Sequence, residues 1–172
     1  LSEHTVASLI GRARALGKPV VVDPKGNNFS RYSGADVVTP NCAELADAAA
    51  MVVDDEESIL VASRKLISDF GIKSILVTRS QEGMSLIDAT SARHVEVKAQ
   101  EVFDVSGAGD TVVAAFSAAI AVGIEPLDAV SLANVAAGVV VGKIGTAAVY
   151  GDDLINALQS DSLYSSDSKI MP

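Results

Sequence analysis

Residues 104–113 read DVSGAGDTVV. Gly107 and Gly109 flank Ala108, Asp110 follows directly, and Asp104 stands upstream. Beyond Asp110 the chain turns apolar almost all round, which predicts a buried helix over about 108–122. A helix start carries unpaired N–H groups and a partial positive charge. Phosphate oxygens fit there, and glycines remove side chains that would block their approach. Asp110 falls in the first turn, where the helix dipole favours the ionised form that a general base needs. The pattern suits phosphoryl transfer. Asp110 would take a proton from an acceptor hydroxyl while the Gly107, Ala108 and Gly109 amides steady the group in transit. A plain glycine turn with a capping aspartate is the alternative, and spacing alone leaves both open.

Working outward, apolar residues at helical spacing predict helices over 5–16, 41–50 and 55–70. Short β-branched runs at PVVVD (19–23), ADVVTP (35–40) and SILVT (74–78) predict buried strands. GMSLID and RHVEVKA follow as a hairpin-like pair. A second apolar helix spans about 126–142 and a short one 152–158. The Ser- and Asp-rich stretch 159–172 has the composition of a linker. Strand–helix alternation over the first 80 residues implies a parallel sheet covered by helices. The expected organisation is one α/β unit over 1–158 and a linker or tail over 159–172.

Composition narrows the function. A chain of 172 residues, 49% hydrophobic and 20% charged, is globular rather than disordered. A net charge of −9 argues against nucleic acid as the main partner, because phosphate backbones require a basic face. It leaves room for a phosphorylated small molecule held locally by amides and one Lys. The single cysteine, Cys42, rules out an intramolecular disulfide framework. No apolar run is long enough to span a membrane. The expectation is a cytoplasmic protein without membrane partners. GVVVGKI (138–144) lacks the spacing and the Ser or Thr of a Walker A loop. GAGDTV lacks the third glycine of a dinucleotide fingerprint.

Other polar residues sit just after predicted strands: Lys25 in DPKG, Asn41 and Glu44 in NCAE, and Thr78 and Gly83 in TRSQEG. Ligands of open α/β sheets bind outside the carboxyl ends of strands. Each has a plainer reading. Lys25 would be a surface lysine, Asn41 with Glu44 a capping box, and Thr78 with Gly83 a strand end and turn. Asn134, polar in an apolar helix, needs a partner, for which a helix-to-helix bond would serve.

DVSGAGD resembles the second signature of the ribokinase/PfkB family of carbohydrate kinases. The resemblance implies the C-terminal half of a three-layer α/β/α, Rossmann-like module. It implies Asp110 as catalytic base and Gly107–Ala108–Gly109 as anion hole. NCAE resembles the family's N-x-x-E motif, implying that Glu44 organises Mg²⁺ through water and that Asn41 serves the nucleotide. TRSQEG resembles its T-x-G-x-x-G loop with Ser80 in place of the first glycine, so only Thr78 and Gly83 carry over as nucleotide contacts. SLANVAAG (131–138) resembles the helix beside the adenine, implying a nucleotide role for Asn134. GKIGTA (142–147) resembles a loop that joins Asp104 and Ser106 around a monovalent cation. ATP, Mg²⁺ and K⁺ are the cofactors so implied.

The DPKG form, the R-Y-x-G-A and T-P-N elements and GVVVGKIGTA resemble, within that family, D-glycero-β-D-manno-heptose 7-phosphate kinases. These serve lipopolysaccharide-core synthesis. Lys25 then takes a nucleotide-phosphate contact by position. The resemblance implies a phosphorylated sugar as acceptor, a homo-oligomeric full-length enzyme and a following adenylyltransferase domain. It also implies that this chain is part of a longer kinase, inactive alone. The rival expectations are another PfkB-type sugar kinase, or a nucleotide-binding or structural piece without phosphoryl transfer.

Overall fold

The computed structural model describes residues 2–97, 104–143, 145 and 147–165. Strand side chains point alternately to two faces, and here both faces are covered. Val38, Ile75, Val77 and Ile87 pack on one side with Leu45, Ile59 and Leu66; Val37, Leu76 and Met84 pack on the other with Val112, Phe116 and Val130. That double burial explains why the strands read as continuous apolar runs.

The first layer is α1 (Glu3–Ala15), α2 (Cys42–Ala49) and α3 (Glu56–Phe70). The sheet is β1 (Val21–Val22), β2 (Val37–Val38), β3 (Ser74–Thr78), β4 (Met84–Asp88) and β5 (Ala92–Val95), in that spatial order. The opposite layer holds α4 (Ala108–Ala121) and α5 (Pro126–Val141), with α6 (Gly151–Ser165) packed on α5. This is the expected α/β/α arrangement.

The first three strands run parallel, Val21 opposite Val37 and Val38 opposite Ile75. The pair β4–β5 is the expected hairpin, and β4 runs antiparallel to β3 with Ile75 opposite Ile87. The first 80 residues thus form the parallel sheet the sequence implied, and the hairpin, added antiparallel to β3, makes the whole sheet mixed. A parallel partner needs a long crossover, and the short link between Thr78 and Met84 has no room for one, so it forces the antiparallel pairing.

Three boundaries differ from expectation. β1 and β2 are shorter than the apolar runs, because Pro19, Pro24 and Pro40 offer no N–H to a ladder. Bonds from the Val37 amide to the Val20 carbonyl and from the Thr39 amide to the Val22 carbonyl still hold the two together. Strand β5 ends at Val95, and residues 98–99 of the predicted strand lie outside the described residues. Helix α6 continues past Leu158 to Ser165, into the stretch with linker composition; residues 166–172 lie outside the described residues.

One packing contact positions the chemistry. Phe116 is fully buried between α4 and the sheet. Truncating such a side chain costs about 3–5 kcal/mol. The contact fixes α4, whose start carries Gly107 to Asp110, over the sheet.

Candidate active site

The loops after the three parallel strands converge. Asn41, just past β2, forms a parallel bridge with Thr78 at the end of β3, and the Thr78 amide donates to the Pro40 carbonyl at 3.0 Å. After β1, the Lys25 ammonium pairs with Asp23 at 2.9 Å. The hydrogen bond and charge of Asp23 hold the Lys25 ammonium above its ordinary range, with smaller contributions from Glu44 and Asp110. The charges of Asp23, Glu44 and Asp110 therefore act on Lys25, which remains largely in solvent. The backbone beneath Lys25 is fixed by buried Tyr32, whose hydroxyl accepts from the Lys25 amide at 2.9 Å.

The α4 start has the form the sequence predicts. Gly107 caps it with φ 80, a left-handed conformation that favours glycine. Its carbonyl accepts from the Thr111 amide at 2.9 Å and the Thr111 hydroxyl at 2.8 Å. The Ala108 amide is already engaged, donating to the Val105 carbonyl at 3.2 Å. Among the described residues, the Gly107, Gly109 and Asp110 amides meet no protein acceptor. Open space lies where a Gly109 Cβ would project, and Asp110 is exposed. The cradle is therefore accessible, with one of its three expected amides used by the protein.

Asp104 ties this loop to α5. Its carboxylate accepts from the Ser106 amide at 2.8 Å, and its own amide donates to the Val141 carbonyl at 3.3 Å. The Ser106 amide, the Ser106 hydroxyl and then the Gly145 amide hold the Asp104 carboxyl below its usual range. These bonds tie the loop before α4 to the end of α5.

Asn41 and Glu44 form the capping box that the plainer reading allowed, with 2.9 Å bonds in both directions. Glu44 nevertheless contributes its charge to the Lys25 cluster, so the two roles coexist. Among the described residues, no three His, Cys, Asp or Glu side chains stand at metal-ligand spacing. Asp23, Glu44 and Asp110 carry more negative charge than Lys25 neutralises. That excess fits a hydrated Mg²⁺ shared with nucleotide phosphates, not a metal caged by protein.

Gly83 and Asn134 lie elsewhere, and they meet at the same backbone. A Cβ on Gly83 would sit 2.0 Å from the Val95 carbonyl oxygen and 3.0 Å from the Glu96 Cα. The Asn134 amide donates to the Glu96 carbonyl at 2.8 Å. Both residues thus have a packing reason, and the Asn134 partner is the chain after β5, not another helix.

The sequence reading missed Arg79. Its side chain is 9% exposed and pairs with Glu82 at 2.6 Å and Glu56 at 3.4 Å. Burial works against its charge, but Glu82 and Glu56 more than offset that and hold it above its ordinary range. A cleft of about 430 Å³ opens between Arg79, Asn41, Thr78, Asp54 and Asp55, while Lys25 and Asp110 lie outside its lining. Burial pushes the Cys42 thiol in the cleft wall upward, which keeps it a poor nucleophile.

The sequence matches the family described as pfkB family carbohydrate kinase over residues 1–152. The chain belongs to the PfkB family of carbohydrate kinases. Its curated relatives include "Bifunctional protein HldE" of Paramagnetospirillum magneticum, 51% identical over all of this chain and 36% of the relative's length. The protein of the same name from Mesorhizobium japonicum is 49% identical over 92% of this chain and 32% of its own length. This PfkB chain thus spans about a third of those relatives. Among solved structures, Arabidopsis thaliana ribokinase with ribose and ATP aligns at TM-score 0.83 and 24% identity, over 92% of this chain and 53% of that one. Escherichia coli phosphofructokinase-2 in complex with potassium aligns at TM-score 0.82 and 20% identity, over 94% and 53%. At those identities the likeness shows the fold, which is ribokinase-like. Among the described residues, no helix is long and apolar enough to cross a membrane.

Proposed function

We propose that this chain is the nucleotide-binding and base-carrying part of a kinase that transfers the ATP γ-phosphoryl group to O1 of D-glycero-β-D-manno-heptose 7-phosphate. The observation that carries it is the exposed Asp110 at the start of α4 beside the Gly107 and Gly109 amides, which meet no protein acceptor among the described residues, with its charge and that of Glu44 acting on Lys25. High identity to proteins named bifunctional HldE and the DPKG and T-P-N elements support the heptose substrate.

In this reading Asp110 removes the proton of the acceptor hydroxyl. The Gly107 and Gly109 amides stabilise charge on the transferring group, and Ala108 joins them if its long bond to Val105 opens. Lys25 and Thr78 contact nucleotide phosphates, with Asn41 holding the loop between them. By the family's pattern Gly83 and Asn134 would serve the nucleotide as well, in addition to their packing at the Val95–Glu96 backbone. Mg²⁺, held through water near Glu44, would neutralise phosphate charge. A K⁺ beside Asp104 and Ser106 would brace the α4 loop. Cytoplasmic ATP and sugar phosphate are the expected partners, in a homo-oligomer carrying a following adenylyltransferase domain. Because the chain covers only about a third of its relatives, we expect the stretch alone to bind nucleotide without turnover.

The test is ADP release by the full-length enzyme with heptose 7-phosphate. Asp110→Asn should lower kcat by about 10² or more, the range for loss of a general base. A near-normal rate in the folded variant would remove Asp110 from the chemistry.

A further inference from the structure

The family's T-x-G pattern expects glycine at position 80, yet Ser80 stands there with φ 52, one of two non-glycine residues at positive φ among the described residues. Side chains rarely tolerate that conformation unless surrounding contacts impose it. The neighbouring residue supplies such contacts. Arg79 opens the turn: its amide donates to the Gly83 carbonyl at 2.8 Å, and its carbonyl accepts from the Glu82 amide at 3.0 Å. Its buried guanidinium then grips four elements. It donates to Glu82 at 2.6 Å in the turn itself, to Glu56 at 3.4 Å at the start of α3, and to Ser85 at 3.3 Å on β4. His94 Nδ1 on β5 lies 3.4 Å away, and the Ser85 hydroxyl is 3.0 Å from the same nitrogen. A planar fork with several donors can span such a set, whereas an ammonium cannot.

We propose that Arg79 is a positioning residue that clamps the Thr78–Gly83 turn. It holds Ser80 in its left-handed backbone and so presents Thr78 to the nucleotide phosphates. The last step rests on the proposed nucleotide role of Thr78; the clamp itself does not. The Arg79 guanidinium sits at the junction of α3, β4 and β5 and the residue also shares the cleft wall with Asn41 and Thr78, so rescue by Ser80→Gly is what separates a backbone effect from loss of its charge.

The experiment is a double-mutant cycle in the full-length enzyme: Arg79→Ala, Ser80→Gly and both together. Each is read by thermal melting and by KM for ATP and for sugar phosphate. Arg79→Ala should lower Tm and raise the ATP KM by roughly tenfold, the size expected for losing one charge-assisted network. The sugar KM should stay within about twofold. Ser80→Gly alone should leave both KM values near wild type. In the double variant, glycine adopts the left-handed turn without help, so most of the ATP KM defect and part of the Tm loss should disappear. Equal Tm losses from Arg79→Ala with and without the Ser80→Gly change would overturn the clamp. A coupled Tm effect with an unchanged ATP KM would overturn the nucleotide step and leave the clamp standing. If Arg79→Ala does not fold, Arg79→Lys is measured in the same cycle. It keeps the charge without the fork, and the same two outcomes decide.

Discussion

The Asn41 side-chain oxygen accepts the Glu44 amide at 2.9 Å, and the Glu44 carboxylate accepts the Asn41 amide at 2.9 Å. One pair therefore both caps α2 and lends charge to the cluster around Lys25. The two roles separate chemically. Glu44→Gln keeps an oxygen for the Asn41 amide but removes the charge. It should leave Tm nearly unchanged and raise the Mg²⁺ needed for half-maximal rate about tenfold, a usual cost of disturbing a metal's outer contacts. Glu44→Ala should add a stability loss of about 1 kcal/mol. Melting curves and Mg²⁺ titrations of the full-length enzyme check both, and an unaltered Mg²⁺ requirement in Glu44→Gln would leave only the cap.

Gly109 offers a cleaner separation of fold from function. Its missing Cβ points into open space, and it lies within the first turn of α4. Alanine is the better helix former by about 0.5–1 kcal/mol in helix interiors. Gly109→Ala should therefore hold or raise Tm while lowering kcat, because the new methyl projects where a phosphoryl group would approach. A variant with unimpaired kcat would show that nothing approaches from that side.

Gly83 should behave in the opposite way. Its φ of 95 and the 2.0 Å approach to the Val95 carbonyl leave no room for a side chain, and the obstacle is backbone. Gly83→Ala should lose upwards of about 2 kcal/mol in urea unfolding, since strain and clash add. A variant as stable as wild type would mean the β3–β4 turn does not lie against β5 as described.

Asp88 predicts a pH dependence. The Ser91 hydroxyl at 2.7 Å, then the Thr90 and Ser91 amides at 2.7 and 2.6 Å, hold its carboxyl well below the usual range. A depressed folded value means the stabilisation is present above the unfolded value, about 3.9. It is lost progressively as pH falls below that, toward the folded value. Asp88→Asn should therefore be less stable than wild type at pH 7, with the difference shrinking at about pH 3. Urea midpoints at the two pH values test it; a gap that does not narrow would place the effect in geometry, not ionisation.

Much of this site was legible because its signals are local. The spacing of Gly107, Gly109 and Asp110 specifies a helix start without side chains. The separation of Asn41 from Glu44 allows a cap, and unbroken β-branched runs specify strands covered on both faces. Each depends on hydrogen bonds and burial within a few residues. The antiparallel turn at β4, the support of Lys25 by Tyr32 and the Arg79 grip on Glu56 and His94 depend instead on which distant loops the sheet order and the two helical layers bring together. Gly83 shows the divide most clearly. Sequence marks it as a glycine after a strand, but the carbonyl that forbids any other residue belongs to Val95, and only the folded sheet puts it there.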